Sequence, residues 1–166
     1  MKKKIAILGS TGSIGKSTLS VIKKDKKGFD VIFLSANNNY RRLIQQAKEF
    51  NVKNVLIKNK KFYEIVKNSL KKNNTKVFSG DISISKIISG KLDYTMSAIV
   101  GLAGLQPTID VVKISRIVAI ANKETIVCGW KILSKLIKKY KTEILPVDSE
   151  HFSIMELTKN VSDDEV

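Results

Sequence analysis

Lys4-Ile5-Ala6-Ile7-Leu8-Gly9-Ser10-Thr11-Gly12-Ser13-Ile14-Gly15-Lys16-Ser17 is a short apolar run that breaks into glycines and hydroxyls, and a helical pattern takes over from Thr18. A buried strand, a glycine-rich turn and a helix in that order open a dinucleotide-binding βαβ unit. Glycines let the chain turn sharply and let backbone N–H groups approach a pyrophosphate, while the helix macrodipole favours an anion at that end. The spacing is Gly-x-x-Gly-x-x-Gly, one residue longer at its first step than the NAD fingerprint. Ser10, Thr11 and Ser13 are expected to add hydroxyl donors around the phosphates. The same residues approach a P-loop, since Gly15-Lys16-Ser17 supplies the end of Gly-x-x-x-x-Gly-Lys-[Ser/Thr]. The first position of that motif falls on Ser10, however, and none of the buried strands before Asp148 ends in the Asp a Walker-B strand wants. A strand-to-helix turn with no ligand is the plainer alternative.

Outward from this unit, short β-rich runs alternate with longer segments of helical period. The expected strands are Lys4–Leu8, Val31–Ser35, Asn54–Ile57, Lys76–Phe78, Asp93–Ala98, Ile117–Ala121 and Glu143–Val147. Several are nearly all apolar, as strands buried on both faces of a parallel sheet should be. Between them, Tyr40, Leu43, Ile44 and Ala47 fall on one face of a helix. Phe62, Ile65, Val66 and Leu70 do so in the next, and Ile126, Val127, Trp130, Leu133 and Ile137 in the last. Repeated strand–helix alternation with right-handed crossovers predicts an α/β fold with a doubly wound, mainly parallel Rossmann-type sheet.

The chain has 166 residues, enough for one domain with a sizeable core and too few for two. Lys+Arg number 30 against 15 acids, a net charge of +15, which raises the question of nucleic acid. Only Arg41, Arg42 and Arg116 are arginines, and the lysines are scattered, so a solvated lysine-rich surface is expected rather than a nucleic-acid partner. Residues 1–147 hold nine of the acids and residues 148–166 hold six, a composition break taken as a domain boundary between 1–147 and 148–166. No apolar run is long enough to span a membrane, and the run before Gly9 is shorter than a secretory signal needs. The single Cys128 gives no disulfide framework and suits a reducing, cytoplasmic setting.

An NAD site places a carboxylate at the end of the second strand, where it accepts from the ribose 2′-OH. Here that strand runs out through Ala36-Asn37-Asn38-Asn39-Tyr40-Arg41-Arg42, and Asp30 lies at its other end. Neutral amides followed by arginines accept a 2′-phosphate, so NADP is expected; an Asn-rich cap on the following helix is compatible with it. In such sheets ligands sit beyond the carboxyl ends of the strands. Three later ends are unusual. Ala98-Ile99-Val100-Gly101-Leu102-Ala103-Gly104-Leu105-Gln106-Pro107 is an apolar loop, suited to lying under a nicotinamide ring or to packing. Asn122-Lys123-Glu124-Thr125 brings polar groups directly off a buried strand, with a capped helix start as the plainer alternative. Asp148-Ser149-Glu150-His151 carries two carboxylates at i and i+2, which on an extended segment share a side and suit a hard cation such as Mg²⁺ or Mn²⁺. A solvated turn is the competing reading there, and for His151 a packed or capping role.

In order, the runs GSTGSIG (9–15), AIVGLAGLQPT (98–108), ANKET (121–125) and PVDSEH (146–151) resemble those of the 1-deoxy-D-xylulose 5-phosphate reductoisomerase family, over nearly the whole chain. The resemblance implies an NADPH-dependent, divalent-metal-assisted step of the non-mevalonate isoprenoid pathway. In that step a phosphorylated sugar, 1-deoxy-D-xylulose 5-phosphate, becomes 2-C-methyl-D-erythritol 4-phosphate. It implies that Thr11, Gly12, Ser13 and Ile14 hold the cofactor phosphates and that Ala36, Asn37, Asn38 and Asn39 form the 2′-phosphate turn. The family usually shows Gly-Lys-Asn at that turn, and Arg41 or Arg42 is a candidate substitute for the missing lysine. Asn122 and Glu124 would touch NADPH, Lys123 the substrate, Asp148 and Glu150 the metal, and Ser149 and Glu150 the substrate as well. Homodimers are implied too. Family chains continue past this point into a further carboxylate ligand, a substrate-phosphate pocket, a lid and a helical domain, and 160–166 carries no compensating motif. The expectation is an N-terminal fragment, with 148–166 the start of a truncated catalytic region and inactive alone. Rival readings are a non-catalytic NADP-binding or sensor protein and a nucleotide triphosphatase. A short-chain dehydrogenase, on the Tyr63-x-x-x-Lys67 spacing, is a further one.

Overall fold

Successive residues of a strand point to opposite sides of its sheet, so a strand apolar at every position needs cover on both faces. In the first strand Ile5 and Ile7 enter one core cluster while Ala6 and Leu8 enter a second. The computed structural model describes residues 2–158. The elements run β1 (Lys3–Leu8), α1 (Ser13–Lys24), β2 (Phe29–Ala36), α2 (Tyr40–Glu49), β3 (Asn54–Ile57), α3 (Tyr63–Leu70) and β4 (Lys76–Ser79). They continue α4 (Ile84–Ile87), β5 (Leu92–Ser97), α5 (Leu105–Val112), β6 (Ser115–Ile120), α6 (Lys123–Tyr140), β7 (Glu143–Pro146) and α7 (Ser149–Thr158). All seven strands expected from the sequence are present, each within two residues of its expected ends.

The strands pair in parallel throughout, in the order β4-β3-β2-β1-β5-β6-β7. The chain first builds outward from β1 to β4, then returns to the other side of β1 and builds outward again. A crossover of constant hand that moves the opposite way along a sheet must lay its helix on the opposite face. Accordingly Leu19, Leu43, Ala47, Val66 and Leu70 from α1–α3 cover one face, and Val111, Val112 and Leu133 from α5 and α6 cover the other. The doubly wound architecture is therefore as the alternation predicts. One irregularity lies in the pairing of β1 with β2, where the register steps from Val31 to Phe33 and leaves Ile32 over. A bulge of this kind lets Ile32 and Phe33 both enter the same core cluster.

Three apolar residues assigned to inward helix faces are exposed. Ile65 is 46% exposed, Val127 69% and Trp130 54%. In α3 the inward row is Val66 and Leu70, and Ile65 lies a step of about 100° around the helix from Val66. In α6 the inward row is Thr125, Gly129 and Leu133, because Gly129 has no side chain and lets Leu105 of α5 come up against the helix. A glycine carries no apolar signal in a periodicity count, yet here it marks the closest approach.

Four buried hydroxyls pair with one another. Thr95 Oγ1 pairs with Ser115 Oγ at 2.8 Å, and Ser97 Oγ with Thr108 Oγ1 at 2.7 Å. Above β1 and β5, where the winding reverses, a crevice opens at the carboxyl edge of the sheet.

Candidate functional site

The turn after β1 is held by its outer two glycines. Gly9 takes φ +74°, and a Cβ there would stand 2.7 Å from the Ala98 carbonyl oxygen, so the loop after β5 packs closely on the backbone of the loop after β1. A Cβ on Gly15 would meet Gly9 O at 2.5 Å and Ser10 Cα at 2.6 Å, so α1 seats directly on the loop. Ser10 is buried, its Oγ donating to Gln46 Oε1 at 2.8 Å while Gln46 Nε2 donates to Ser10 O at 2.9 Å. The expectation that Ser10 faces a phosphate is corrected on this point. Its hydroxyl ties the loop to α2, and the signal was missed because Gln46, a polar residue, reads as surface.

Gly12 is different. It is the N-cap of α1, has ordinary extended backbone at φ −74°, and supplies no side-chain cap. A Cβ there would meet nothing closer than Gly9 O at 3.4 Å. The first turn of α1 contains no acid, so its leading N–H groups face outward without a carboxylate to satisfy them. Glycine at that position leaves space rather than filling a tight contact, which fits an anion brought up against the backbone. Thr11 and Gly12 line a cavity of about 810 Å³ in the crevice, together with Ala36, Asn37, Lys58 and Asp81. Ser13 is exposed at the first position of α1 and lines no described cavity; Ile14 lines a second, smaller one.

Beyond β2 the three asparagines separate. Asn37 borders the large cavity. Asn38 Oδ1 accepts from Asn59 Nδ2 at 2.8 Å, and Asn39 Oδ1 caps α2 by accepting from Arg42 N–H at 3.1 Å. The capping role that the sequence left open beside phosphate binding is thus taken by Asn39. Arg41 donates to the Tyr40 hydroxyl at 3.2 Å and Arg42 to Gln45 Oε1 at 2.9 Å, and neither borders the cavity. No carboxylate stands at the end of β2, and Asp30 is at its beginning.

Ala98, Ile99 and Val100 form the wall between the large cavity and a neighbouring one of about 290 Å³. That second cavity gathers Asn122, Lys123, Glu124, Asp148 and Glu150 from two separate strand ends. Asn122 caps α6, its Oδ1 accepting from Thr125 N–H at 2.8 Å, and its Nδ2 donates to Gly101 O at 3.1 Å and to Ile99 O. Its amide is therefore committed to capping α6 and holding the 98–104 loop. Lys123 Nζ lies 3.3 Å from Glu150 Oε1, and with its own N–H and that ammonium beside it Glu150 is held below the usual carboxylate range.

Asp148 and Glu150 are not on an extended segment. Asp148 immediately precedes α7 and Glu150 stands in its first turn, so the expected i, i+2 strand geometry gives way to a helix start. Asp148 Oδ1 accepts from His151 N–H at 3.0 Å and lies 2.6 Å from His151 Nδ1. Burial works against the charged form of Asp148, but these His151 hydrogen bonds outweigh it and hold its carboxyl below the ordinary value. His151 thus orients the carboxylate. Asp148 Oδ2 is buried without a partner, a hard oxygen donor left over once the helix is capped. That atom fits a divalent cation such as Mg²⁺ or Mn²⁺, although among the described residues no group of three or more His, Cys, Asp or Glu could hold one. Ser149 is exposed and does not border the cavity. The acidic tail 160–166 lies outside the described residues.

The rival motifs do not assemble. Lys16 is exposed on α1 and borders neither cavity, whereas a P-loop lysine reaches the phosphates. Lys67 Nζ lies over the Tyr63 ring at 5.3 Å on α3, away from both cavities. The sequence reading missed Lys58 and Asp81, which face the large cavity as an ion pair. The available signal was a charge directly off the end of a buried strand, the same signal that drew attention to Lys123.

Comparison with known proteins places this geometry. The family model described as 1-deoxy-D-xylulose 5-phosphate reductoisomerase matches residues 5–129. A relative of that name from Pelagibacter ubique is 51% identical over 160 residues, 95% of this chain and 41% of the relative. One from Wolbachia pipientis is 43% identical over 159 residues, with the same 41% covered. The chain thus spans about two fifths of the length of these relatives. Among solved structures, the enzyme from Zymomonas mobilis in complex with NADPH superposes at a TM-score of 0.85 with 34% identity, covering 91% of this chain and 40% of that one. A reductoisomerase in complex with NADPH, fosmidomycin and magnesium gives 0.81 and 32%, covering 90% and 37%. Among the described residues no helix is long and apolar enough to cross a membrane.

Proposed function

The chain belongs to the 1-deoxy-D-xylulose 5-phosphate reductoisomerase family, and from that premise we propose that it is the NADPH-holding part of such an enzyme, joined to the start of its metal and substrate site. The reaction served is the conversion of 1-deoxy-D-xylulose 5-phosphate to 2-C-methyl-D-erythritol 4-phosphate in isoprenoid synthesis. The observation that carries the reading is the pair of adjoining cavities. One lies over the bare N-terminus of α1, and the other is closed by Lys123, Glu150 and the unpartnered Asp148 Oδ2. When bound, NADPH supplies hydride and a divalent cation polarises the substrate carbonyl as a Lewis acid.

The protein's own groups hold and orient. The N–H groups of Ser13 and Ile14 and the Thr11 hydroxyl face the dinucleotide phosphates, and the gap at Gly12 lets that anion approach the backbone. Ala36 and Asn37, which line the large cavity, would border the ribose. Ala98, Ile99 and Val100 would offer the nicotinamide an apolar wall. Asn122 fixes this wall through Gly101 O and Ile99 O, while Glu124 stands at the cofactor side of the second cavity. Asp148, whose carboxylate His151 orients, and Glu150 would be the two carboxylates that hold the metal. Lys123 is held at the substrate side by Glu150 until a substrate anion competes for its ammonium. Ser149, one residue from each carboxylate, is assigned to the substrate on resemblance alone.

The domain division 1–147 and 148–166, a cytoplasmic place, a homodimeric parent and the absence of a nucleic-acid partner belong to this same reading. Two carboxylates do not complete six-coordination, so the 166-residue chain alone should bind NADPH without turning over substrate. Fluorescence titration of the purified chain should show NADPH bound at least about 10-fold more tightly than NADH, the discrimination one charge-assisted contact gives. Equal affinities count against the cofactor assignment. Substrate turnover by the chain with Mg²⁺ or Mn²⁺ counts against the incomplete site.

A further inference from the structure

Among the described residues bordering the large cavity, one side chain is cationic, and it is Lys58. The register of β2 on β3 pairs Ala36 with Ile57, which sets Lys58 beside Asn37 at the carboxyl edge. Backbone pairing continues past the strand ends. Lys58 N–H donates to Ala36 O at 2.8 Å, and Asn59 N–H to Asn37 O at 3.2 Å. Asn59 Nδ2 adds a bond to Asn38 Oδ1 at 2.8 Å, so the turn after β2 and the turn after β3 form one tied unit. In this fold the ribose bearing the 2′ group rests at the end of the second strand. The two arginines that follow β2 are turned to Tyr40 and Gln45 and do not border the cavity.

We propose that Lys58 is the residue that pairs with the 2′-phosphate and so sets the preference for NADPH over NADH. This rests on the NADPH reading above and names its specificity determinant. In the structure the ammonium of Lys58 pairs with the Asp81 carboxylate across the same cavity. Both side chains are largely exposed, and an exposed pair of this kind contributes little to stability, so a dianionic phosphate displaces the carboxylate at small cost. Asp81 therefore holds Lys58 at the cavity wall until the cofactor arrives, and then competes with the phosphate for it.

The test is a set of fluorescence titrations of the 166-residue chain with NADPH and with NADH. Lys58→Ala should weaken NADPH about 10- to 100-fold and NADH less than about twofold, the range expected for one lost charge-assisted hydrogen bond. Lys58→Arg should restore most of the loss. Arg42→Ala should change neither. Asp81→Asn, which leaves Lys58 intact, should tighten NADPH alone by about two- to fivefold, the order of one screened exposed charge. A wild-type preference for NADPH that survives Lys58→Ala overturns the proposal, as does an equal loss for both dinucleotides or a selective loss on Arg42→Ala. If Lys58→Ala fails to fold, an unchanged NADPH affinity in Asp81→Asn overturns it instead. A wild-type chain that binds neither dinucleotide, or both alike, overturns the cofactor assignment itself and the proposal with it.

Discussion

Gly12 and Gly15 lie three positions apart and answer to different neighbours. A methyl group on Gly15 has no room beside Gly9 O and Ser10 Cα, whereas one on Gly12 stands 3.4 Å from its nearest atom and keeps an allowed φ of −74°. Gly15→Ala should therefore destabilise the fold by about 1–3 kcal/mol, as overpacking does. Gly12→Ala should leave stability within about 0.5 kcal/mol, the usual range away from packed sites. Its methyl projects into ligand space, so NADPH binding should fall by about tenfold, the equivalent of one lost net contact. Urea unfolding and NADPH titration of the two variants separate the roles; the opposite order of effects would show that Gly12 is a packing residue. At this scale the sequence is uneven as a guide. Glycine spacing announces the turn because few other residues make it. Ser10 is misleading, because a hydroxyl fits a phosphate or a buried amide equally and only the Gln46 contact decides. Lys58 carried the mark of a charge directly off β3, and it was passed over as one lysine among a scattered surplus.

Helices and strands were more legible, and the reason is area. A strand covered on both faces must be apolar along its length, which is why β1, β2 and β6 stand out in the sequence. Helix rotation was less legible. Val127 and Trp130 are apolar but turn outward because Gly129 sets the contact with α5, and a periodicity count gives a glycine no weight. The start of α7 was hidden too, because Asp148 and Glu150 read as a strand extension until the His151 N–H is seen to complete a cap. On the other face, α1 and α2 are joined at their carboxyl ends by Lys23 Nζ and Glu49 Oε1 at 2.6 Å. The Lys23 hydrogen bond, aided by the charges of Lys23, Lys26 and Arg42, holds Glu49 below its ordinary value against the opposing effect of burial. A depressed carboxyl contributes stability above its unfolded value of about 4.3, and that contribution is lost as pH falls through the folded value. Wild type should exceed Glu49→Gln by less than about 1 kcal/mol near neutrality. The gap should close as the medium is acidified below that range. Urea unfolding across the pH series checks this, and a gap that widens in acid would contradict the assignment.

For the whole molecule, the reversal of winding at β1 and β5 is what makes a site. It brings Gly9 against Ala98, opens the crevice above them, and lines up the ends of β2, β3, β6 and β7 along one edge. Strand alternation in the sequence foretold the sheet, and the ordered motifs foretold the family. Neither could reveal that two cavities share the Ala98–Val100 wall, because that wall exists only once the loops meet. The account stands on the open N-terminus of α1 as the seat of a phosphorylated dinucleotide. Amide ¹H–¹⁵N shift mapping of the chain during NADPH addition tests this most directly. The largest changes should fall at Thr11–Gly15, with a second set at Asn37 and Lys58. Saturable binding that leaves Thr11–Gly15 unmoved would contradict it.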